Sequence, residues 1–184
     1  MERKQQARYR TIFGVDYWNC CYKYTKKINF NNKIKWLQFQ LVRGCLPVNN
    51  KISRYMNEVS SLCTFCKAEP ETDRHLFFHC KITNPFLRSC FNFIGQIGHT
   101  MDFDNTRPWE FMLIQRIRLR CFKCFFFMLH MKHFIWLTRC AGSVPTLIAF
   151  KSYLKKELEL LVQCIHIYTE LEFVANCLRI WNDL

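Results

Sequence analysis

Apolar residues recur along this chain at intervals of three and four, and alternating runs are nearly absent. That spacing lines one face of a helix, so everything periodic here predicts helix. Lys33 to Arg43 places Ile34, Leu37, Gln38 and Leu41 on one face, with Trp36 and Phe39 flanking it and Lys35 and Arg43 elsewhere. Gly44 and Pro47 end that helix. Asn49 or Asn50 caps a short helix through Met56. Asn84-Pro85 starts another, Phe86 to Ile97, closed by Gly98. The polar stretch from Gly98 to Arg107 is the best domain boundary. A long helical run follows from Pro108 to Cys140 and is broken by Ala141-Gly142-Ser143. Ser143 then caps a helix with Pro145 in its first turn, ending near Ile165. A last helix covers Thr169 to Trp181. The pattern predicts a mostly α fold in two parts, residues 1–98 and a C-terminal helical bundle over 99–184.

Between the second and third helices lies Cys63-Thr-Phe-Cys66, followed by Glu71-Thr-Asp-Arg-His75-Leu-Phe-Phe-His-Cys80. Two thiolates on a tight turn, then an imidazole and a third thiolate, make a complete tetrahedral set for zinc. Cys63, Cys66, His75 and Cys80 are the expected ligands, forming a CCHC knuckle-like loop that staples the first part. His79 is the alternative to His75, but it abuts Cys80 and would compete with it for one direction. Thr72 or Asp73 can N-cap a helix beginning just before His75. Four protein ligands leave no open position for substrate or activated water, so one structural Zn2+ is expected. Loss of a ligand, as in Cys66→Ser, is expected to unfold residues 60–85 and leave the C-terminal helices largely intact.

Charge adds a second theme. The net charge is +13, and residues 1–54 carry twelve Lys or Arg against Glu2 and Asp16. Residues 150–184 are near neutral. A basic block interleaved with aromatics suits a surface that meets phosphates and stacks bases. Lys23, Lys26, Lys27, Lys33, Lys35, Arg43, Lys51 and Arg54 are the expected phosphate contacts, with Tyr22 and Tyr24 stacking unpaired bases. Composition alone fits a solvated basic face over an aromatic core equally well. Arg116, Arg118 and Arg120, spaced by two, fan around a helix rather than line one strand.

Other chemistry is thin. The polar Met1-Glu-Arg-Lys-Gln-Gln-Ala-Arg start has no apolar stretch behind it, so no secretory leader is expected. The most apolar run, Cys121 to Leu137, is interrupted by Lys123, His130, Lys132 and His133, so no membrane span is expected. The cysteines then belong to a reducing compartment as thiols and metal ligands. Cys121, Cys124, His130 and His133 are too spread along a helix for one ion and are expected in the core. The acids are scattered, without the carboxylate cluster that a two-metal nuclease or polymerase needs. A zinc deaminase would need His-x-Glu before Pro-Cys-x-x-Cys, and neither order nor residues agree. No enzyme is expected. The run of Phe125, Phe126, Phe127, Met128, Phe134 and Trp136 suggests a packing seam for a polymerase body or for self-association.

The run Lys33-Ile-Lys-Trp-Leu-Gln-Phe-Gln-Leu-Val-Arg-Gly-Cys-Leu-Pro-Val-Asn49, with Leu62-Cys-Thr-Phe-Cys66 and the Glu71 to Cys80 segment, resembles a known family. The family it resembles is the zinc-binding domain that follows the reverse transcriptase in non-LTR (LINE-type) retrotransposon polyproteins. Lys132-His-Phe-Ile-Trp-Leu-Thr-Arg-Cys140 and the helices from Phe150 to Trp181 resemble the closing helical segment of those polyproteins. The resemblance implies a module that grips template RNA or target DNA in the nucleus and lacks the polymerase motifs. This chain departs from the family at Gln40 and at Arg43-Gly44, where basic or histidine residues are common; that weakens phosphate contact from this helix.

Overall fold

A computed structural model describes residues 31–96 and 122–164. The expected boundary at 98/99 and the last helix, Thr169 to Trp181, lie outside these residues. The described chain is mostly helical: α1 (Asn32–Arg43), α2 (Asn49–Ile52), a π-helical turn (His75–His79), α3 (Thr83–Gln96), α4 (Phe122–Cys140) and α5 (Leu147–Cys164). Among the described residues the only β pairing is an isolated antiparallel bridge, Leu62 to Pro70.

The helix ends follow from local chemistry. Asn31 caps α1, its side chain accepting from the Lys33 amide at 3.0 Å. Gly44 ends α1 at φ 65°, with Gly44 N–H donating to Leu41 and Cys45 N–H to Gln40. Gly142 ends α4 the same way at φ 66°, Ser143 N–H reaching back to Thr138. Both are left-handed caps that glycine adopts without a Cβ clash. Ser143 therefore closes α4 and, contrary to the sequence expectation, does not open α5. Thr146 opens α5, its Oγ1 accepting from Ala149 N–H at 3.3 Å. The second expectation to change is α2. It stops at Ile52, and neither Asn49 nor Asn50 is its cap, because Val48 stands there.

One core joins the two halves of the sequence. Ile34, Leu37 and Leu41 of α1 are buried, as the periodicity predicts, Val42 is buried beside them, and Phe86, Leu87, Phe91 and Ile94 form the inner face of α3. Phe126, Phe127, Met128 and Phe134 of α4 are buried in the same cluster. These four are thus spent on intramolecular packing, while Trp136 is half-buried. Phe86, Phe134 and Phe150 bind α3, α4 and α5 together, with ring centroids 5.5 to 5.8 Å apart. Tilted and edge-on aromatic pairs of this kind add about 0.5–1.5 kcal/mol each beyond burial. Gln38, the one polar residue on the inner stripe of α1, accepts from the buried Lys132 Nζ of α4. His130 and His133 also lie in the core, both bonded to the Tyr153 hydroxyl of α5, at 2.9 and 2.8 Å. Cys121 lies outside the described residues.

Candidate metal centre

The segment from Ser61 to Glu71 is a closed loop. Cys63 N–H donates to Glu69 O and Glu71 N–H to Ser61 O, each at 2.8 Å. Lys67 takes the left-handed conformation, φ 54°, and its N–H returns to Cys63 O at 2.9 Å. That turn aims the amides of Phe65 and Cys66 at the Cys63 sulfur. The second pair of ligands comes from the next element. Thr72 caps it, Oγ1 accepting from His75 N–H at 3.1 Å. The backbone then widens into a π turn, Cys80 N–H donating to His75 O at 2.8 Å. An α-helix turns about 100° per residue, so residues five apart diverge by about 140°. The wider turn closes i to i+5 and returns His75 and Cys80 to one side. Just beyond, the amides of Ile82 and Thr83, at the start of α3, bond the Cys80 sulfur.

The four ligand atoms of Cys63, Cys66, His75 and Cys80 all lie within 4.8 Å of one another. Cys63 Sγ is 3.8 Å from Cys80 Sγ, and Cys66 Sγ is 3.3 Å from His75 Nε2. A tetrahedral Zn2+ with ~2.3 Å Zn–S and ~2.0 Å Zn–N bonds separates its sulfurs by about 3.8 Å and sulfur from nitrogen by about 3.5 Å. The residues therefore fit one zinc with all four positions filled. His79 is exposed and packs edge-on against Phe78, outside the cluster. Among the described residues no other group of His, Cys or acids has this convergence.

Electrostatics favour one thiolate here, at Cys80. Cys63 gives its S–H to Cys80, and burial adds to this, so its own thiol moves well up. Cys80, receiving that hydrogen and the amides of Ile82 and Thr83, is pushed down to about 4 despite burial. A cation in the centre would take the place of the shared proton, and both sulfurs would then ligate as thiolates. Glu69 Oε2 lies 3.2 Å from His75 Nδ1, without hydrogen-bond alignment. Nε2, which lies against Cys66 Sγ, is the metal-facing nitrogen.

Beside the site sits a buried carboxylate the sequence reading did not single out. Glu71 is wholly buried. Its Oε2 accepts from Thr64 N–H at 2.7 Å, between the first two ligands, and its Oε1 from Asn49 N–H at 2.9 Å. Arg139 of α4 donates to the same Oε1 from Nε at 3.2 Å and from a terminal nitrogen at 2.9 Å. Burial pulls the Glu71 carboxyl up, but the Thr64 and Asn49 amides and the Arg139 guanidinium outweigh it and hold it below its usual value. Asn49 completes the hub, giving Nδ2 to Leu62 O and taking Arg139 at 2.7 Å on Oδ1. Glu71 thus caps α2 from outside the helix, in the role expected of Asn49 or Asn50. The Leu-Pro-x-Asn run hinted at Asn49; nothing in the spacing links Arg139 to a partner 68 positions away.

The basic residues expected to meet phosphate divide. Lys23, Lys26, Lys27, Tyr22 and Tyr24 lie outside the described residues. Lys33 and Lys35 are on α1, and Arg43 at its end lies over the Phe39 ring, 5.6 Å from its centroid. Lys51 is engaged inside the fold, with Asp73 at 2.9 Å and Leu46 O at 3.1 Å. Arg54 is exposed. None of the described helices is long and apolar enough to cross a membrane.

No curated protein and no solved structure matches the chain. Residues 5–86 match the model of a family described as zinc-binding in reverse transcriptase, and the four ligands fall within the matched span, which is a zinc-binding domain similar to that family.

Proposed function

We propose that this chain is a zinc-stapled nucleic-acid-binding module of a LINE-type retrotransposon polyprotein, with its C-terminal helices as the closing segment. The observation that carries the reading is the closed Cys3His centre inside the matched span, beside a first third that carries twelve basic residues against two acids. A metal with four protein ligands has no position for substrate, so its work is to hold the loop and the elements around it. The module grips template RNA or target DNA and does no catalysis of its own, acting beside a reverse transcriptase in the nucleus. Contacts are mainly to phosphate and weaken steeply with salt.

The test is fluorescence anisotropy of the zinc-loaded, reduced protein with a short single-stranded RNA and a matched DNA duplex, at low and near-physiological salt. Binding that persists at physiological salt and favours one ligand supports the reading. Absence of binding at low salt overturns it and leaves a zinc-held scaffold.

A further inference from the structure

The outer face of α1 carries a large aromatic surface that the core does not use. Trp36 is 60% exposed. Its ring stacks on Phe39, with centroids 5.3 Å apart and planes 16° from parallel. Arg43, one turn on, lies over the Phe39 ring, 5.6 Å from its centroid. The inner stripe of α1 is occupied by Ile34, Leu37, Gln38, Leu41 and Val42, so the stack is fixed on the opposite side by a helix that is itself packed. Lys33 and Lys35 precede Trp36 and Phe39 by three and four residues, the spacing of neighbours on a helix surface. No acidic residue occurs in α1.

We infer that the Trp36–Phe39–Arg43 face is a stacking platform for an unpaired base of a single-stranded polynucleotide. The inference rests on the nucleic-acid reading above and names the surface and the form of strand it takes. A planar ring held parallel to a second ring offers a nucleobase a ready π face, and every base has one. Lys33, Lys35 and Arg43 supply charge complementary to the flanking phosphates, which an apolar protein partner would not match. Duplex DNA keeps its bases stacked and has no free face to offer. Val144 and Ile148, exposed near the start of α5, are aliphatic, and the exposed Tyr55 has no second ring stacked on it among the described residues.

The experiment uses the full zinc-loaded chain, with labelled single-stranded oligo-uridine, oligo-thymidine and a duplex of the same length at one salt concentration. Trp36→Ala and Trp36→Phe are compared with wild type, after zinc content and circular dichroism show each variant folded. Trp36→Ala is expected to weaken binding of at least one single strand by about 5- to 100-fold and leave the duplex nearly unchanged, while Trp36→Phe recovers most of the loss. Wild-type binding that Trp36→Ala does not weaken overturns the platform and leaves the nucleic-acid reading standing. Equal losses for single strand and duplex overturn base stacking as well. Wild type that binds none of the three overturns both inferences together.

Discussion

A buried ionisable side chain persists only where its neighbours settle its charge, and three side chains here show two ways of doing so. Glu71 is kept charged by two amides and a guanidinium, while His130 and His133 are kept neutral. Burial, with His133 nearby, lowers His130 to about 3; burial, with Lys33 nearby, lowers His133 to about 4. Each shares the Tyr153 hydroxyl, which can donate to one ring and accept from the other. Below pH ~6.5 the unfolded chain charges both rings while the folded chain does not, so the unfolded state binds more protons and stability falls with acid. Glu157 pulls the other way, since burial raises its carboxyl in the fold. Zinc release by acid is shared by wild type and variant and drops out of their difference. Chemical denaturation of wild type and His133→Asn between pH 5 and 6.5 should therefore differ in slope by about one proton, roughly 1.4 kcal/mol per pH unit, with wild type the steeper. Equal slopes would mean that His133 is not held neutral.

At the scale of elements, the π turn is the piece with the clearest consequence for the metal. His75 and Cys80 can face one ion because the backbone between them carries one residue more than an α turn would place there. His79 is the residue to remove, since it is exposed and outside the cluster. Deleting His79 should convert the π turn to an α turn with His75 and Cys80 four positions apart, about 40° around the axis and so still on one side, and zinc should stay near one per chain. His79→Ala should keep full zinc, which metal analysis after gel filtration reads directly. Loss of zinc in the deletion variant would show that the metal needs the wider turn, and loss in His79→Ala would return His79 to the ligand set. The ligand spacing, the Thr72 cap and the inner face of α1 were legible in the sequence because each rests on residues no more than 17 positions apart. The π turn was not, because hydrophobic periodicity reports a helix without its hydrogen-bond step. The caps of α2 and α5 misled for a related reason. Asn49 and Ser143 have the right side chains to cap a helix, but Glu71 takes the first role and Ser143 is used by α4.

Across the whole molecule, Arg139 changes what the zinc loop is coupled to. Read along the chain, the loop is a local staple, and losing a ligand would melt residues 60–85 alone. In the fold, Arg139 of α4 donates twice to Glu71, bonds Asn49, and lies 4.8 Å from the Trp136 ring centroid. Glu71 in turn holds Thr64, between Cys63 and Cys66. The path from metal to C-terminal helix is thus a loop amide, a buried carboxylate and a guanidinium, added to a core shared by α1, α3, α4 and α5. Removing one partner of a buried charge pair costs about 3–5 kcal/mol, because the remaining charge is left without compensation. Arg139→Met, which keeps much of the stem but not the donors, should lose stability on that scale and release zinc at lower chelator concentration than wild type. Hydrogen exchange distinguishes coupling from a local staple. On chelation, amides of α4 near Arg139 should lose protection in wild type together with those of the Cys63 to Cys80 segment. In Arg139→Met they should already be weakened and change less when the metal is withdrawn. Protection of α4 that is indifferent to zinc in wild type would restore the local staple, and with it the independence of the C-terminal helices that the sequence suggests.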